Sequence, residues 1–456
     1  MMLKTKTWFR IHSFTGVITG LLLFFICWTG TFAVISYELD WLINPALQLE
    51  TQPDKASWGE ITEVVKKEFP DGEINYIKKQ EYPNSPYVVY INFSDQSYRA
   101  VYINPYNLKI VHTDYEFDIA GFFRNLHYNL FGVGNSDIGS YIVMVFGLVM
   151  FISFISALFI YKNWWTKFFK FKRKRKGRVF WTQIHKLAGV WSLWFLLVIA
   201  LTGSYYLYEK FQWDTGLFGP QKLNYVGDHK FGVVEIPEPE SDTTKTFLSI
   251  DSLVQVAHEK WPDFEIHSIY FTWPQENIGS VSFQGHAGSI LSRAFIRERG
   301  NQINLDRLTG NVLLKCSTSD LPAYWIISNA VDPLHFGNFG GLTSKIIWFI
   351  FGLILSGIIL TGTYLHITKI HKKNGLQRHV WRGTWWAIGI TVFIVLATIP
   401  FGIETARWYG PMVNGEKQLP ELSDGVKIFI VAWVLITLII ITVWIQKLWI
   451  ATKNKS

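Results

Sequence analysis

Cysteine is almost missing from this chain: two residues in 456, Cys27 and Cys316. They form no CxxC and no CxxCH, which leaves no basis for a disulfide framework, for thiol–disulfide chemistry or for covalently attached c-type haem. Charge is sparse too, at 17% of residues, and no long apolar run carries charges through its centre. No strand-like segment is followed by G-x-G-x-x-G, and no hydrolase or phosphate-loop signature stands out, so any nicotinamide or flavin chemistry has to come from another protein.

What is abundant is apolar and aromatic surface, 49% hydrophobic and 17% aromatic residues. A helix needs roughly 20 apolar residues to cross a bilayer. Six segments meet that length, near 14–36, 138–161, 187–208, 344–366, 384–403 and 425–446. The first lacks a small-residue cleavage site, so it reads as a retained helix and not a signal peptide. Basic residues cluster in the N-terminal tail (1–13), the loop 162–186, the loop 367–383 and the tail after 446. These hold 21 of the 43 Lys and Arg and no acidic residue. The positive-inside rule therefore places both termini in the cytoplasm, with the large loops outside. The net charge of +8 is a topological signal, not a nucleic-acid footprint. The KRKRK run at 172–176 reads as a translocation stop and a contact for anionic headgroups.

The chain also repeats itself. WFRIHSFTGVITGLLLFFICWTG (8–30) and FWTQIHKLAGVWSLWFLLVIALTG (180–203) each place Gly four residues after a histidine and Thr-Gly seventeen and eighteen after it. The aligned residues are His12, Gly16, Thr29, Gly30 and His185, Gly189, Thr202, Gly203. The loops 37–137 and 209–343 match as well: EVVKKEFPDGEI (63–74) parallels QVAHEKWPDFEI (255–266), and strand-like alternation follows each. The spacing predicts two small α+β domains, the second closed by a hairpin at Asp306-Arg307-Leu308-Thr309-Gly310. Each loop ends in Leu-His-aromatic just before the next apolar run, Leu126-His127-Tyr128 and Leu334-His335-Phe336. The order helix, α+β domain, Leu-His, helix is thus performed twice over 1–366, and 384–456 adds two helices. His379 and Gly383 repeat the His-x-x-x-Gly spacing there without a Thr-Gly ending.

These repeats and INLDRLTGNVL (303–313), which looks like the closing hairpin of a PepSY domain, make residues 8–370 resemble bacterial inner-membrane proteins with PepSY-associated transmembrane helices. The resemblance implies a polytopic α-helical membrane protein with two periplasmic PepSY-like α+β domains, 37–137 and 209–343. Members of that family include iron-regulated membrane proteins and siderophore reductases that hold two b-type haems and reduce ferric siderophores in the periplasm. The first domain departs from the pattern, with Asn104-Pro105-Tyr106-Asn107 where Asp-x-x-Thr-Gly is expected. Its fold is expected to survive; a role tied to that turn is not.

Neutral imidazole is the commonest strong axial donor to haem iron. If the halves are related by an axis along the membrane normal, His12 meets His185 near the cytoplasmic face and His127 meets His335 near the periplasmic face. A lone histidine at a helix end is ordinarily an interfacial anchor, but four at matched positions in duplicated units favour a ligand set. His366 and His371 are rival inner ligands, and His379 is assigned to the added helices. Slots between helices would be lined by Phe9, Phe14, Trp181, Trp191 and Trp194 inside, and by Phe122, Phe123, Tyr128, Phe131 and Phe336 outside. Arg124 is the outer candidate for haem propionates, with Arg10 and Lys186 the inner ones; snorkelling to headgroups competes with that role. His112, His229, His258, His267 and His286 show no metal-ligand spacing and read as domain or surface residues.

The expected activity is electron transfer from a cytoplasmic flavoprotein or quinol, through two haems, to a ferric siderophore or similar chelate outside. No catalytic acid, base or nucleophile is required for it. Two competing classes remain. An iron-import accessory without redox activity would need ionisable residues at the bilayer centre, and no such set is evident. A regulator binding a peptide through its PepSY-like domains would leave the four matched histidines without a task.

Overall fold

The computed structural model describes residues 4–95, 97–115, 117–170, 177–217, 246–271, 279–374 and 378–453. The basic run 172–176 and His229 lie outside them, as do the side chains of His371 and His379.

The first half runs α1 (Thr5–Ile18), α2 (Gly20–Val34), α3 (Ser36–Ile43), α4 (Trp58–Glu68), β1 (Gly72–Lys78), β2 (Tyr87–Phe93), β3 (Tyr98–Ile103), β4 (Ile110–Asp114), α5 (Ile119–Asn129) and α6 (Ser136–Ile160). The second runs α7 (Gly177–Trp191), α8 (Leu193–Thr215), α9 (Ile250–Lys260), β5 (Glu265–Tyr270), β6 (Ser280–His286), α10 (Ile290–Phe295), β7 (Gln302–Asp306), β8 (Val312–Cys316), α11 (Ala323–Phe336) and α12 (Gly341–Asn374). Two further helices follow, α13 (Arg378–Tyr409) and α14 (Asp424–Lys453).

Among the described residues, α6, α12, α13 and α14 are each long and apolar enough to cross a membrane. The pairs α1/α2 and α7/α8 qualify when each is taken as one broken span, bent by 63° and 67°. Both bends fall seven residues after the histidine, at Thr19 and Ser192. Continuous helices were the expectation at 14–36 and 187–208; the break instead tilts His12 and His185 away from the helices that follow them.

The two α+β units do not stand apart. Their strands form one antiparallel sheet in the order β4-β3-β2-β1-β5-β6-β7-β8. The halves join where β1 meets β5, with Tyr76 opposite Tyr270, Ile77 opposite Ile269 and Lys78 opposite Ser268. Ile77 and Ile269 are fully buried, so the seam itself carries core. Helices α4 and α9 cover one face through Ile61, Val65, Leu253 and Ala257. Ser57 and Glu60 make a reciprocal capping box at α4, and Asp251 of α9 accepts from Gly59 N and Ser57 Oγ. The predicted hairpin is present: Asp306 accepts from Leu308 N and Thr309 N, and Gly310 takes φ +75°. In the first half Asn104 accepts from Tyr106 N and Leu108 takes φ +60° in place of the glycine. The turn survives its altered sequence.

Helix packing obeys the same two-fold relation: α2 lies against α12 and α8 against α6. Small residues allow the backbones to approach. A Cβ on Gly147 of α6 would fall 2.5 Å from Gly203 C of α8, and one on Gly352 of α12 would fall 2.5 Å from Thr31 Oγ1 of α2. The added helices break the symmetry: α14 packs on both α2 and α12, where Trp28 Nε1 donates to Thr437 Oγ1 and Trp444 Nε1 donates to Leu360 O.

Candidate functional site: two histidine pairs across the bundle axis

The four repeat histidines meet as two pairs. The rings of His12 (α1) and His185 (α7) have centroids 6.5 Å apart, and those of His127 (α5) and His335 (α11) are 6.3 Å apart. Each pair joins equivalent positions of the two halves.

Every one of the four is tied down through Nδ1. His12 Nδ1 lies 3.1 Å from Ser153 O and from Ser156 Oγ; His185 Nδ1 lies 3.1 Å from Ile358 O and 3.2 Å from Thr361 Oγ1. His127 Nδ1 lies 3.0 Å from Ile26 O and 3.4 Å from Thr29 Oγ1, and His335 Nδ1 lies 2.8 Å from Thr202 Oγ1. The local device is the same each time. A hydroxyl residue on a neighbouring helix donates to a carbonyl one turn earlier: Thr29 to Ile26, Ser156 to Ser153, Thr202 to Val198 and Thr361 to Gly357 or Ile358. At His12, His127 and His185 a carbonyl oxygen faces Nδ1, and because a carbonyl only accepts, that nitrogen carries the proton; at His335 the acceptor is Thr202 Oγ1, whose own proton goes to Val198 O. The other nitrogen, Nε2, keeps its lone pair. This is the arrangement that metal-ligating histidines adopt, with the outer N–H held by a backbone acceptor.

The spacing fits one metal ion per pair. Two imidazoles binding an ion from opposite sides, at about 2.0–2.1 Å each, set their ring centroids about 6.3 Å apart. A flat cofactor also needs room. Cβ atoms built on Gly16 and Gly189, four residues after His12 and His185, would meet nothing within 4 Å. At the other pair the Thr-Gly glycines are enclosed: a Cβ on Gly30 would lie 2.6 Å from His127 Cε1, and one on Gly203 would lie 3.2 Å from Gly147 Cα. A cavity of about 700 Å³ opens there, lined by His127, His335, Gly30, Gly147 and Gly203 and reaching Gln80, Tyr82, Tyr90 and Tyr102 on the sheet side. That volume lies in the usual range of ligand sites. Gly147 and Gly352 beside this cavity are each nine residues from the hydroxyl that serves the other pair, Ser156 and Thr361. At 1.5 Å per helical residue the two pairs are about 14 Å apart along the bundle.

The remaining candidates divide. Arg124 lines the cavity, with its guanidinium 4.6 Å from the Phe336 ring and 5.3 Å from the Tyr37 ring. The position equivalent to Arg124 is Asp332, which pairs with Arg297 and accepts from Tyr206 OH; all three line the cavity. Arg297 has no counterpart in the sequence reading. Arg10 is exposed and two residues from His12, hence on another side of α1. Lys186 lies over the Tyr161 ring. His366 is half-buried with Nδ1 unpartnered, and among the described residues no ring contact joins it to His12 or His185. Tyr128 and Phe336 line the outer cavity as expected. Phe122, Phe123 and Phe131 do not: they pack in the core cluster that includes Trp433 of α14. Phe122 and Phe123 meet Trp433 edge-on instead, with ring centroids 6.2 and 5.1 Å away. Of the residues placed at the inner slot, Phe14 is 62% exposed and Trp191 points its Nε1 to Phe168 O.

A duplicated, multi-pass membrane bundle with a sheet domain at one end and a half-buried histidine pair at two levels defines the class. The family model for the PepSY-associated TM region matches residues 9–369, and the chain belongs to that family. It is also similar to an uncharacterised protein of Pseudomonas aeruginosa, 26% identical over 220 residues that make up 47% of this chain. The match covers 53% of that relative, so the chain spans about half the length of the curated protein it matches.

Proposed function

We propose that the chain is a haem b protein of the bacterial cytoplasmic membrane that passes electrons outward to reduce a ferric chelate, of siderophore type, at the sheet-domain face. The observation that carries this reading is the pair of matched histidine sites, each with both Nδ1–H groups committed to the protein and both Nε2 atoms left as donors. Haem, when bound, supplies one-electron chemistry whose potential responds to axial ligand, burial and hydrogen bonding. His12 and His185 would hold the haem nearer the basic loops, and His127 with His335 the one nearer the sheet.

The chain's own residues do the rest. Hydrogen bonding from Nδ1 to a carbonyl, or at His335 to the Thr202 hydroxyl, would raise the basicity of each ligand and fix its ring. Arg124 and Arg297 place two guanidinium groups at the outer cavity, where they would hold propionates or an anionic chelate. The cavity's extension to the underside of the sheet gives a ferric complex a route to the outer site. Ferric chelates are tight and ferrous ones weak, so adding one electron frees the metal and spares the chelator. The donor at the inner face is a flavoprotein or a quinol.

The test is the dithionite-reduced minus oxidised visible spectrum of detergent-purified protein, with a pyridine haemochrome count. A b-type spectrum with two haems per chain is expected, followed by reduction of a ferric siderophore. A colourless protein that takes up no added haemin overturns the reading.

A further inference from the structure

His267, His286 and Glu298 are far apart in sequence and show no ligand spacing, yet the fold brings one ligand atom of each within 4.8 Å of the others. We propose that these three residues form a binding site for a divalent transition-metal ion in the outer sheet, apart from the two histidine pairs.

The site is made by an irregularity in the sheet. Between β5 and β6, Ile266 pairs with Gly285 and Ser268 pairs with Gln284, so His267 is an extra residue in a bulge. Bulges re-aim side chains, and they concentrate next to functional sites. Gly285 is what lets the strands close over it, because a Cβ there would fall 1.9 Å from Glu265 O. The bulge turns His267 toward His286 at the end of β6, with ring centroids 4.7 Å apart and nearly perpendicular. Glu298 arrives from the short turn of helix between α10 and β7.

The surroundings match a metal site in detail. His267 Nδ1 lies 3.7 Å from Glu298 Oε1, while its Nε2 lies 3.3 Å from Glu265 Oε1. Glu265 is thus placed to accept the outer N–H, as carboxylates do behind metal-bound imidazoles. Glu298 Oε2 is held by Lys78 at 3.6 Å, which leaves Oε1 facing the histidine. His286 Nδ1 is buried with no hydrogen-bond partner. An orphaned imidazole nitrogen beside a second imidazole and a carboxylate is a cost without a ligand. Burial keeps both imidazoles uncharged, His286 being pushed down to about 4 by burial and then by His267. Burial opposes ionisation of Glu298, yet the Lys78 ammonium beside it holds its carboxyl below the usual range. Two neutral nitrogens and one carboxylate oxygen suit zinc, iron(II), cobalt, nickel or copper and not calcium or magnesium. His267 keeps 15% and Glu298 23% side-chain exposure, so an ion can enter and leave.

The experiment is isothermal titration of the full-length, haem-replete protein with zinc chloride, with haem content counted in parallel. One zinc per chain is expected, unaffected by millimolar magnesium. His267→Ala and His286→Asn should abolish it, and Glu298→Gln should weaken it about tenfold or more, all with two haems retained. Thermal melting of each variant checks the fold, and Glu298→Gln, nearly isosteric, reports even where the alanine variant unfolds. Zinc binding that persists in a folded His286→Asn protein overturns the proposal. So does zinc binding that disappears only in His127→Ala, which would place the ion at the membrane pair.

Discussion

Thr202 Oγ1 accepts the Nδ1 hydrogen of His335 at 2.8 Å because its own proton is already donated within α8, to Val198 O at 2.7 Å. The threonine of the second Thr-Gly therefore sets the tautomer of a histidine 133 residues later. The first Thr-Gly stands in the same relation to His127, but there the carbonyl of Ile26 is the nearer acceptor, at 3.0 Å against 3.4 Å for Thr29.

That asymmetry makes unequal predictions for equivalent substitutions. Thr202→Val removes the one hydrogen-bond acceptor found for His335 Nδ1 among the described residues, whereas Thr29→Val leaves His127 its carbonyl. Loss of such an outer partner typically costs 10–100-fold in ligand affinity. Haem transfer to an excess of a haem-scavenging protein should be about 10–100-fold faster from the outer site of Thr202→Val and near wild type for Thr29→Val. Equal rates in the two variants would show that the hydroxyls do not hold the rings.

The pairing itself is tested by counting. If the proposed two haems are bound, His127→Ala and His335→Ala should each reduce them to one, with the same spectral component missing. His12→Ala and His185→Ala should each remove the other component, and a His12/His185 double variant should lose no more than either single one. His366→Ala should retain both haems, since His366 lies outside both ring pairs. Loss of a haem in His366→Ala with retention in His12→Ala would reassign the inner site.

Much of this was legible in the chain. The duplicated His-x-x-x-Gly and Leu-His elements marked all four histidines and their partners, since equivalent positions in related halves meet across a two-fold axis. The Thr-Gly ends were visible but their use was not: each belongs to the outer site, while the histidine seventeen residues before it belongs to the inner one. Ser156 and Thr361, which hold the inner rings, were missed. A signal existed for one of them, because Leu360-Thr361-Gly362 repeats Leu201-Thr202-Gly203. Ser156 is followed by Ala157, and nothing local distinguishes it from any helix serine that bonds its own backbone. The union of the two sheets at Ile77 and Ile269 was hidden for a different reason: strand alternation tells which face is buried, not which edge meets which. The cluster of His267, His286 and Glu298 was hidden because a bulge, not a spacing, creates it.

Glycine at 30 is predicted to be a steric requirement of the outer site. A methyl there would stand 2.6 Å from His127 Cε1 and 3.0 Å from Nε2, well inside contact distance, so the ring has to rotate off its carbonyl or the helices have to part. Overpacking of this kind costs about 1–3 kcal/mol. Gly30→Ala should lose the outer haem and lower the melting temperature, whereas Gly16→Ala, where a Cβ meets no protein atom within 4 Å, should melt like the wild type in the haem-free protein. A Gly30→Ala protein with both haems and an unchanged melt would remove the glycine from the site.

The sheet is tied to the bundle by one buried ammonium. Lys345 of α12, with a side chain 3% exposed, donates to Glu38 of α3 at 2.7 Å and to Glu81 of the β1–β2 connection at 3.0 Å, and Tyr82 OH donates to the same Glu38 oxygen at 2.6 Å. Removing one partner of a buried pair leaves the other charge uncompensated, at a cost of about 3–5 kcal/mol. Glu38 keeps the Tyr82 hydroxyl as a donor and Glu81 is 43% exposed, so neither carboxylate is left wholly uncompensated and the lower end of that range applies. Lys345→Met is therefore expected to lower stability by about 3 kcal/mol, with the loss concentrated in amide-exchange protection of α3 and the β1–β2 connection. The double variant Lys345→Met/Glu38→Gln should recover part of that loss, because the orphaned carboxylate is gone. If instead the single variant exchanges like the wild type throughout α3, the attachment lies in the apolar contacts around Trp41 and Leu47, and the ion pair is incidental to it.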